Sequence, residues 1–152
     1  MNVIIGADHA GFLLKEEVKK ILVTWGVMVV DVGTVSTEPC DYPDYAAEVA
    51  NRISHGEFSR GILICGSGAG MVIVANRFPG VRAVMCLTEE AARMCRRHND
   101  ANCLVLAGRW TDPNTAERIL RVWWETPFEG GRHERRLKKI EEIEEKIRLR
   151  RS

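Results

Sequence analysis

Residues 61–70 read GILICGSGAG, and the fold turns on how this stretch is taken. Four residues with the β-branched and apolar profile of a buried strand run into Cys65, and glycines follow at 66, 68 and 70. A strand that ends in a glycine-rich turn and opens a helix presents backbone N–H groups to whatever lies beside the strand end. Glycine permits close approach there, and the helix dipole favours negative charge. The same surroundings favour negative charge on a neighbouring sulfur, which makes Cys65 a candidate nucleophile or general base. Taken alone, a cysteine at a strand end is more often a small core residue. The turn has no Lys-Ser/Thr after its glycines, so it is not a P-loop, and no acidic residue follows where a dinucleotide fingerprint needs one.

Working outward, four more short β-rich runs alternate with amphipathic stretches: VII (3–5), VMVVDV (27–32), VRAVMC (81–86) and NCLVLA (102–107). GFLLKEEVKKILVTWG carries Phe12, Leu13, Val18, Ile21 and Leu22 at helical spacing and stops at Gly26. Further helices are expected around DYPDYAAEVANRI, after the glycine turn, over TEEAARMCRR, and from Asp112-Pro113 onward. This alternation predicts an α/β fold, a three-layer doubly wound Rossmann-like sandwich around a five-stranded parallel sheet. Ligands bind such sheets at the carboxyl ends of the strands.

The bulk properties agree. A chain of 152 residues, 45% hydrophobic and 28% charged, is expected to form one domain over 1–152, with a C-terminal helix and tail over about 132–152. A net charge of +1 gives no electrostatic case for nucleic acid as a partner, and no apolar run is long enough for a membrane span. The five cysteines form no C-x-x-C pair, so neither a disulfide framework nor a metal site is expected, and free thiols in a cytoplasmic protein are. In the tail, Leu137, Ile140, Ile143 and Ile147 make a narrow apolar seam on a charged helix, to be covered by its own domain or by a partner subunit.

Three more stretches carry candidate chemistry. GADHAG puts Asp8 and His9 at the end of the first strand. RRHNDANCLVLAGR places His98 and Asn99 before the last strand and Arg109 after it. EGGRHERR sets Arg132 and Arg136 four residues apart on one helix face, where two guanidiniums can converge on a phosphate. Singly, each has an ordinary reading as a solvated or hydrogen-bonded polar residue. Jointly, GADHAGF, DYPDYA, GILICGSGAGMVIVANRFPGVRAV, HNDANCLVL and GGRHERR resemble the type B ribose-5-phosphate isomerase family, which also includes allose- and galactose-6-phosphate isomerases.

The resemblance implies an aldose–ketose isomerase that moves a proton between adjacent carbons through a cis-enediol, with no cofactor and no metal. It implies Cys65 as the base, His98 as the acid that opens the sugar ring, and the N–H groups of Gly66, Ser67, Gly68, Ala69 and Gly70 as oxyanion donors. Asn99 and Asp8 would hold sugar hydroxyls and Tyr42 would lie along the substrate, with His9, Arg109, Arg132 and Arg136 gripping its phosphate. It also implies a homodimer with shared sites, the last helix lying on the partner, and leaves pairing of dimers into tetramers open. A six-carbon sugar phosphate or a free rare sugar as substrate, a non-catalytic sugar-phosphate-binding subunit, and a flavodoxin-like nucleotide-binding regulatory domain are the alternatives the sequence leaves open.

Overall fold

The computed structural model describes residues 1–151; Ser152, the end of the expected tail, lies outside the described residues. Five strands, β1 (Asn2–Ala7), β2 (Met28–Asp31), β3 (Gly61–Cys65), β4 (Ala83–Met85) and β5 (Cys103–Ala107), are joined by helices α1 (Phe12–Thr24), α2 (Tyr42–Ser54), α3 (Ala69–Ala75), α4 (Glu89–Asn99) and α5 (Pro113–Glu125), with α6 (Arg132–Arg151) at the end. The sheet is parallel throughout in the order β2-β1-β3-β5-β4. The expected five strands and the helices between them are all present.

Strand parity sorts the core into two layers. Val3, Ile5, Ile62, Ile64, Leu104 and Leu106 point to the face covered by α1, α4 and α5, where Leu14, Val18, Leu22, Ile119 and Trp123 meet them. Ile4, Leu63, Cys65, Cys103 and Val105 point to the other face, under Val49, Ile53, Met71 and Ala75 of α2 and α3. The central strands β3 and β5 are buried along their whole length, which explains their unbroken apolar sequence.

Local chemistry sets the element ends. At the end of α1 the Gly26 N–H reaches Val23 C=O at 3.0 Å and the Val27 N–H reaches Leu22 C=O at 3.1 Å, with Gly26 at φ 76°. This is a Schellman closure, in which Trp25 is the C-cap and the glycine sits one residue beyond it. Thr88 caps α4 by accepting the Ala91 N–H at 3.1 Å, and Asp112 caps α5 by accepting the Thr115 N–H at 2.9 Å, with Pro113 first in the helix.

One link between elements had no local signal. Lys15 is 1% exposed on α1, and its ammonium is paired with Asp31 at the end of β2. Lys19 joins at 2.8 Å. Asp31 Oδ1 also takes the Gly33 N–H at 2.8 Å, so the carboxylate ties α1, β2 and the following loop together.

Candidate active site

The strand order reverses direction between β1 and β3, and in doubly wound sheets this is where the carboxyl ends of the strands leave a crevice. The residues there are Asp8, just after β1, and Cys65, the last of β3. They line a cleft of about 230 Å³ together with His9, Tyr42, Ser67 and Arg109. The floor is main chain, from the turn between β3 and α3.

Each side chain in the cleft is held by a neighbour. Asp8 is buried, and its Oδ1 accepts the N–H groups of Ala10 at 3.0 Å and Gly11 at 3.1 Å, which shapes the β1–α1 turn. Cys65 Sγ accepts the Gly68 N–H at 3.2 Å. Gly68 has φ 82°, and a Cβ there would come within 2.7 Å of Met85 Cγ, so both backbone conformation and space require glycine. Ser67 Oγ accepts the Ala69 N–H at 3.3 Å. The first intrahelical bond of α3 comes from the Val72 N–H, so Gly70 and Met71 N–H have no acceptor inside the helix.

Two side chains lie directly on this peptide floor. A Cβ on Gly66 would sit 3.1 Å from Arg109 Cζ and Nε, so the guanidinium covers that peptide. A Cβ on Gly70 would sit 2.5 Å from Tyr42 Cζ, so the tyrosine ring lies on the first turn of α3. His9 is oriented from the loop before α2: the Cys40 N–H donates to its Nδ1 at 3.1 Å. An accepting Nδ1 leaves the proton of the neutral ring on Nε2, a donor suited to an anionic oxygen.

Of the five free cysteines, Cys65 alone lines this cleft. Burial pushes the Cys103 thiol up to about 12. Cys86 and Cys95 face each other in the core with their sulfurs 3.8 Å apart.

The remaining candidates lie elsewhere. His98 and Asn99 end α4, and the chain then enters β5 through Asp100–Asn102, which puts them at the amino edge of the sheet. Arg132 and Arg136 open α6, whose Glu144 accepts the Gly80 N–H at 3.2 Å in the loop before β4, at that same edge. A strand of five residues, roughly 17 Å, separates the two edges. Within one chain the structure therefore gathers Asp8, His9, Tyr42, Cys65, Ser67 and Arg109, and keeps His98, Asn99, Arg132 and Arg136 apart from them.

Sequence reasoning passed over Cys40, Glu129 and His133. Cys40 stands 31 residues from the histidine it orients, a separation that carries no local signal. Glu129 and His133 lie inside EGGRHERR, the stretch read for its arginines, where the density of titratable groups was the available clue. Glu129 Oε2 lies 3.4 Å from His98 Nε2, and the His133 ring stacks on that of His98.

A thiol that accepts a peptide N–H, a carboxylate and a guanidinium, set at the switch point of a doubly wound parallel sheet, define an α/β protein with a polar cleft where such folds bind their ligands. Residues 3–140 match the family model described as Ribose/Galactose Isomerase, and the chain belongs to that family. Ribose-5-phosphate isomerase B of Escherichia coli (strain K12) is 44% identical over 145 residues, 95% of this chain and 97% of that protein. Among solved structures, ribose-5-phosphate isomerase B of Clostridium thermocellum has a TM-score of 0.94 at 46% identity and covers 97% of this chain and 99% of its own. That of Mycoplasma genitalium, solved with bound ribulose-5-phosphate, has a TM-score of 0.91 at 37% identity over 95% of this chain and 96% of its own. No helix among the described residues is long and apolar enough to cross a membrane.

Proposed function

We propose that this chain interconverts ribose 5-phosphate and ribulose 5-phosphate through a cis-enediol, as a dimer that shares its sites. The observation that carries the reading is the Cys65 sulfur, held by a peptide N–H in the cleft at the sheet's switch point, in a family whose Mycoplasma genitalium member holds ribulose-5-phosphate. The reaction needs a base for a weakly acidic proton beside a carbonyl and donors for the oxygen that becomes negative. Cys65 as thiolate takes the proton from C2 of the open aldose while the C1 carbonyl oxygen takes a proton from solvent water, giving the enediol and the Cys65 thiol. The O2 proton then passes to solvent hydroxide, the Cys65 thiol delivers its proton to C1, and the ketose and the thiolate are left. Of the N–H groups of residues 66–70, that of Gly70, which has no acceptor inside α3, steadies the oxyanion together with the Ser67 hydroxyl, while the Gly68 N–H stays on the Cys65 sulfur.

Asp8 binds sugar hydroxyls with the carboxylate oxygen not tied to the turn, and Tyr42 flanks the chain of carbons. His9, through Nε2–H, and Arg109 hold the phosphate, and binding energy from this remote end orients the reacting carbons. His98, Asn99, Arg132 and Arg136 complete the site from the partner subunit, because within their own chain they stand at the opposite edge. The apolar seam of α6 fits the same arrangement: Ile140 is 44% and Ile143 55% exposed on the single chain.

The test is a coupled assay with ribose 5-phosphate and allose 6-phosphate side by side, in wild type and Cys65→Ala. Ribose 5-phosphate is expected to be the better substrate, with kcat falling by roughly 100- to 10,000-fold in the variant. Full turnover by Cys65→Ala removes the thiol from the mechanism, and no turnover of either sugar by wild type removes the function. EDTA is expected to leave the rate unchanged.

A further inference from the structure

The ends of α4 and α6 meet in a small array of side chains that the proposed chemistry uses only in part. His98, in the last turn of α4, stacks on His133, in the first turn of α6, with centroids 4.3 Å apart and planes 15° from parallel. His133 is 4% exposed, while the His98 side chain is 31% exposed, so one ring is a platform and the other faces outward. His133 Nε2 is buried with no hydrogen-bond partner among the described residues, so no polar tether at that nitrogen holds the ring beneath His98. Glu129 Oε2 is 3.4 Å from His98 Nε2 and 3.5 Å from Arg97 Nε. The Glu129 N–H donates to Arg97 C=O at 3.0 Å, using one of the carbonyls that a helix end leaves without an intrahelical partner. The segment bearing Glu129 is thereby fastened to the turn bearing His98.

We propose that Glu129 and His133 are positioning residues for His98, fixing the plane of its ring and the nitrogen that carries the transferable proton. The inference rests on the reading of His98 as the ring-opening acid. With Nε2 turned to the Glu129 carboxylate, Nδ1 is the nitrogen that meets the sugar. A carboxylate at the far nitrogen of an imidazole sets its tautomer and stabilises the imidazolium. In ring opening the Nδ1–H bond breaks as its proton passes to the furanose ring oxygen, the C1–O4 bond breaks, and the anomeric hydroxyl loses its proton to solvent water as the carbonyl forms.

Two imidazolium rings this close would repel, so one of the pair must stay neutral. Burial holds His133 below the ordinary histidine range, and Arg132, His98 and Arg136 push the same way against Glu129. The charged groups around the pair are Arg97 from α4, Glu129 from the connection, and Arg132 and Arg136 from α6. The donor atoms of His98, Glu129 and His133 lie within 4.8 Å of one another. Stacked rings, however, keep their lone pairs in two near-parallel planes rather than converging on one point, and the guanidiniums of Arg97, Arg132 and Arg136 add positive charge nearby. The array suits a proton and an anion rather than a cation.

The experiment separates ring opening from enolisation. Ribulose 5-phosphate carries its phosphate on O5 and cannot close a furanose, so exchange of its C1 hydrogen with solvent deuterium reports enolisation alone. Turnover of ribose 5-phosphate includes the ring step. In the full-length enzyme, Glu129→Gln and His133→Ala are each expected to lower ribose 5-phosphate turnover about tenfold or more while C1 exchange stays within about twofold of wild type. His133→Phe keeps a flat buried ring and is expected to recover most of the turnover lost in His133→Ala. Parallel loss of both reactions in Glu129→Gln and His133→Phe, or no loss in Glu129→Gln, overturns the positioning role. Failure of the function itself is read on the wild type, before any variant: an enzyme that neither turns over ribose 5-phosphate nor exchanges the ketose hydrogen ends both readings.

Discussion

Gly68 and Gly70 are two residues apart and are glycines for different reasons, which gives them different mutational signatures. At Gly68 the chain is left-handed, and an added Cβ would also push on Met85 of β4. Gly68→Ala is expected to cost roughly 1–2 kcal/mol, seen as a lower midpoint in urea unfolding, and to disturb the amide that touches Cys65. Gly70 lies in the first turn of α3 with a helical backbone, and the three atoms nearest an added Cβ all belong to the ring of Tyr42, which is 37% exposed and so has solvent to move into. Gly70→Ala is therefore expected to leave thermal stability unchanged or slightly higher, since alanine favours a helix by about 1 kcal/mol. The displaced tyrosine should raise KM for ribose 5-phosphate more than it lowers kcat. A fall in Tm with unchanged KM would mean that Tyr42 does not belong to the substrate's surroundings.

At the level of elements, the clamp of Lys15 and Lys19 on Asp31 ties α1 to β2 and has a consequence for acid stability. Burial opposes charge on Asp31, but hydrogen bonds from Lys15, Lys19 and the Gly33 N–H outweigh it and hold the carboxyl below its ordinary range. A native value below the unfolded one means that the unfolded chain binds the extra proton first. The contribution is complete above about pH 4 and is lost as the pH falls through the depressed native value. Asp31→Asn is expected to flatten the acid limb of the stability curve and to cost roughly 3 kcal/mol near neutral pH, because it leaves the Lys15 ammonium buried without its main partner. Urea unfolding of both proteins from pH 3 to 7 checks both statements. The helix starts at Thr88 and Asp112-Pro113 were legible in the sequence because caps are made by residues a few positions apart. The clamp was not, because Lys15 and Asp31 are brought together only by the packing of α1 against the sheet edge.

For the molecule as a whole, the sheet is both scaffold and spacer. That its strands run parallel beneath helices on both faces could be read from the alternation of GILIC, NCLVLA and their neighbours with amphipathic stretches. Asp8, Cys65 and Arg109 could be read as one edge, because in a parallel sheet every residue just after a strand reaches the same side. By the same rule, His98 just before β5 belongs to the other side, and no sequence pattern states which second surface it meets. Mixing tests the proposed sharing: Cys65→Ala and His98→Asn subunits, each inactive alone, should regain about one quarter of wild-type activity after unfolding and refolding together, since half the dimers are then mixed and each carries one intact site of two. Activity that stays at zero would place each site within a single chain. The peptide floor under the cleft carries a last implication. Main chain offers partial positive charge but no side-chain contour, so it contributes fewer contacts that depend on the handedness of the hydroxyls than side chains do. On the proposed reading, discrimination among sugars falls to the side chains around that floor, to Asp8, to Tyr42 and to whatever a partner subunit brings, and these can change while the peptide floor stays as it is.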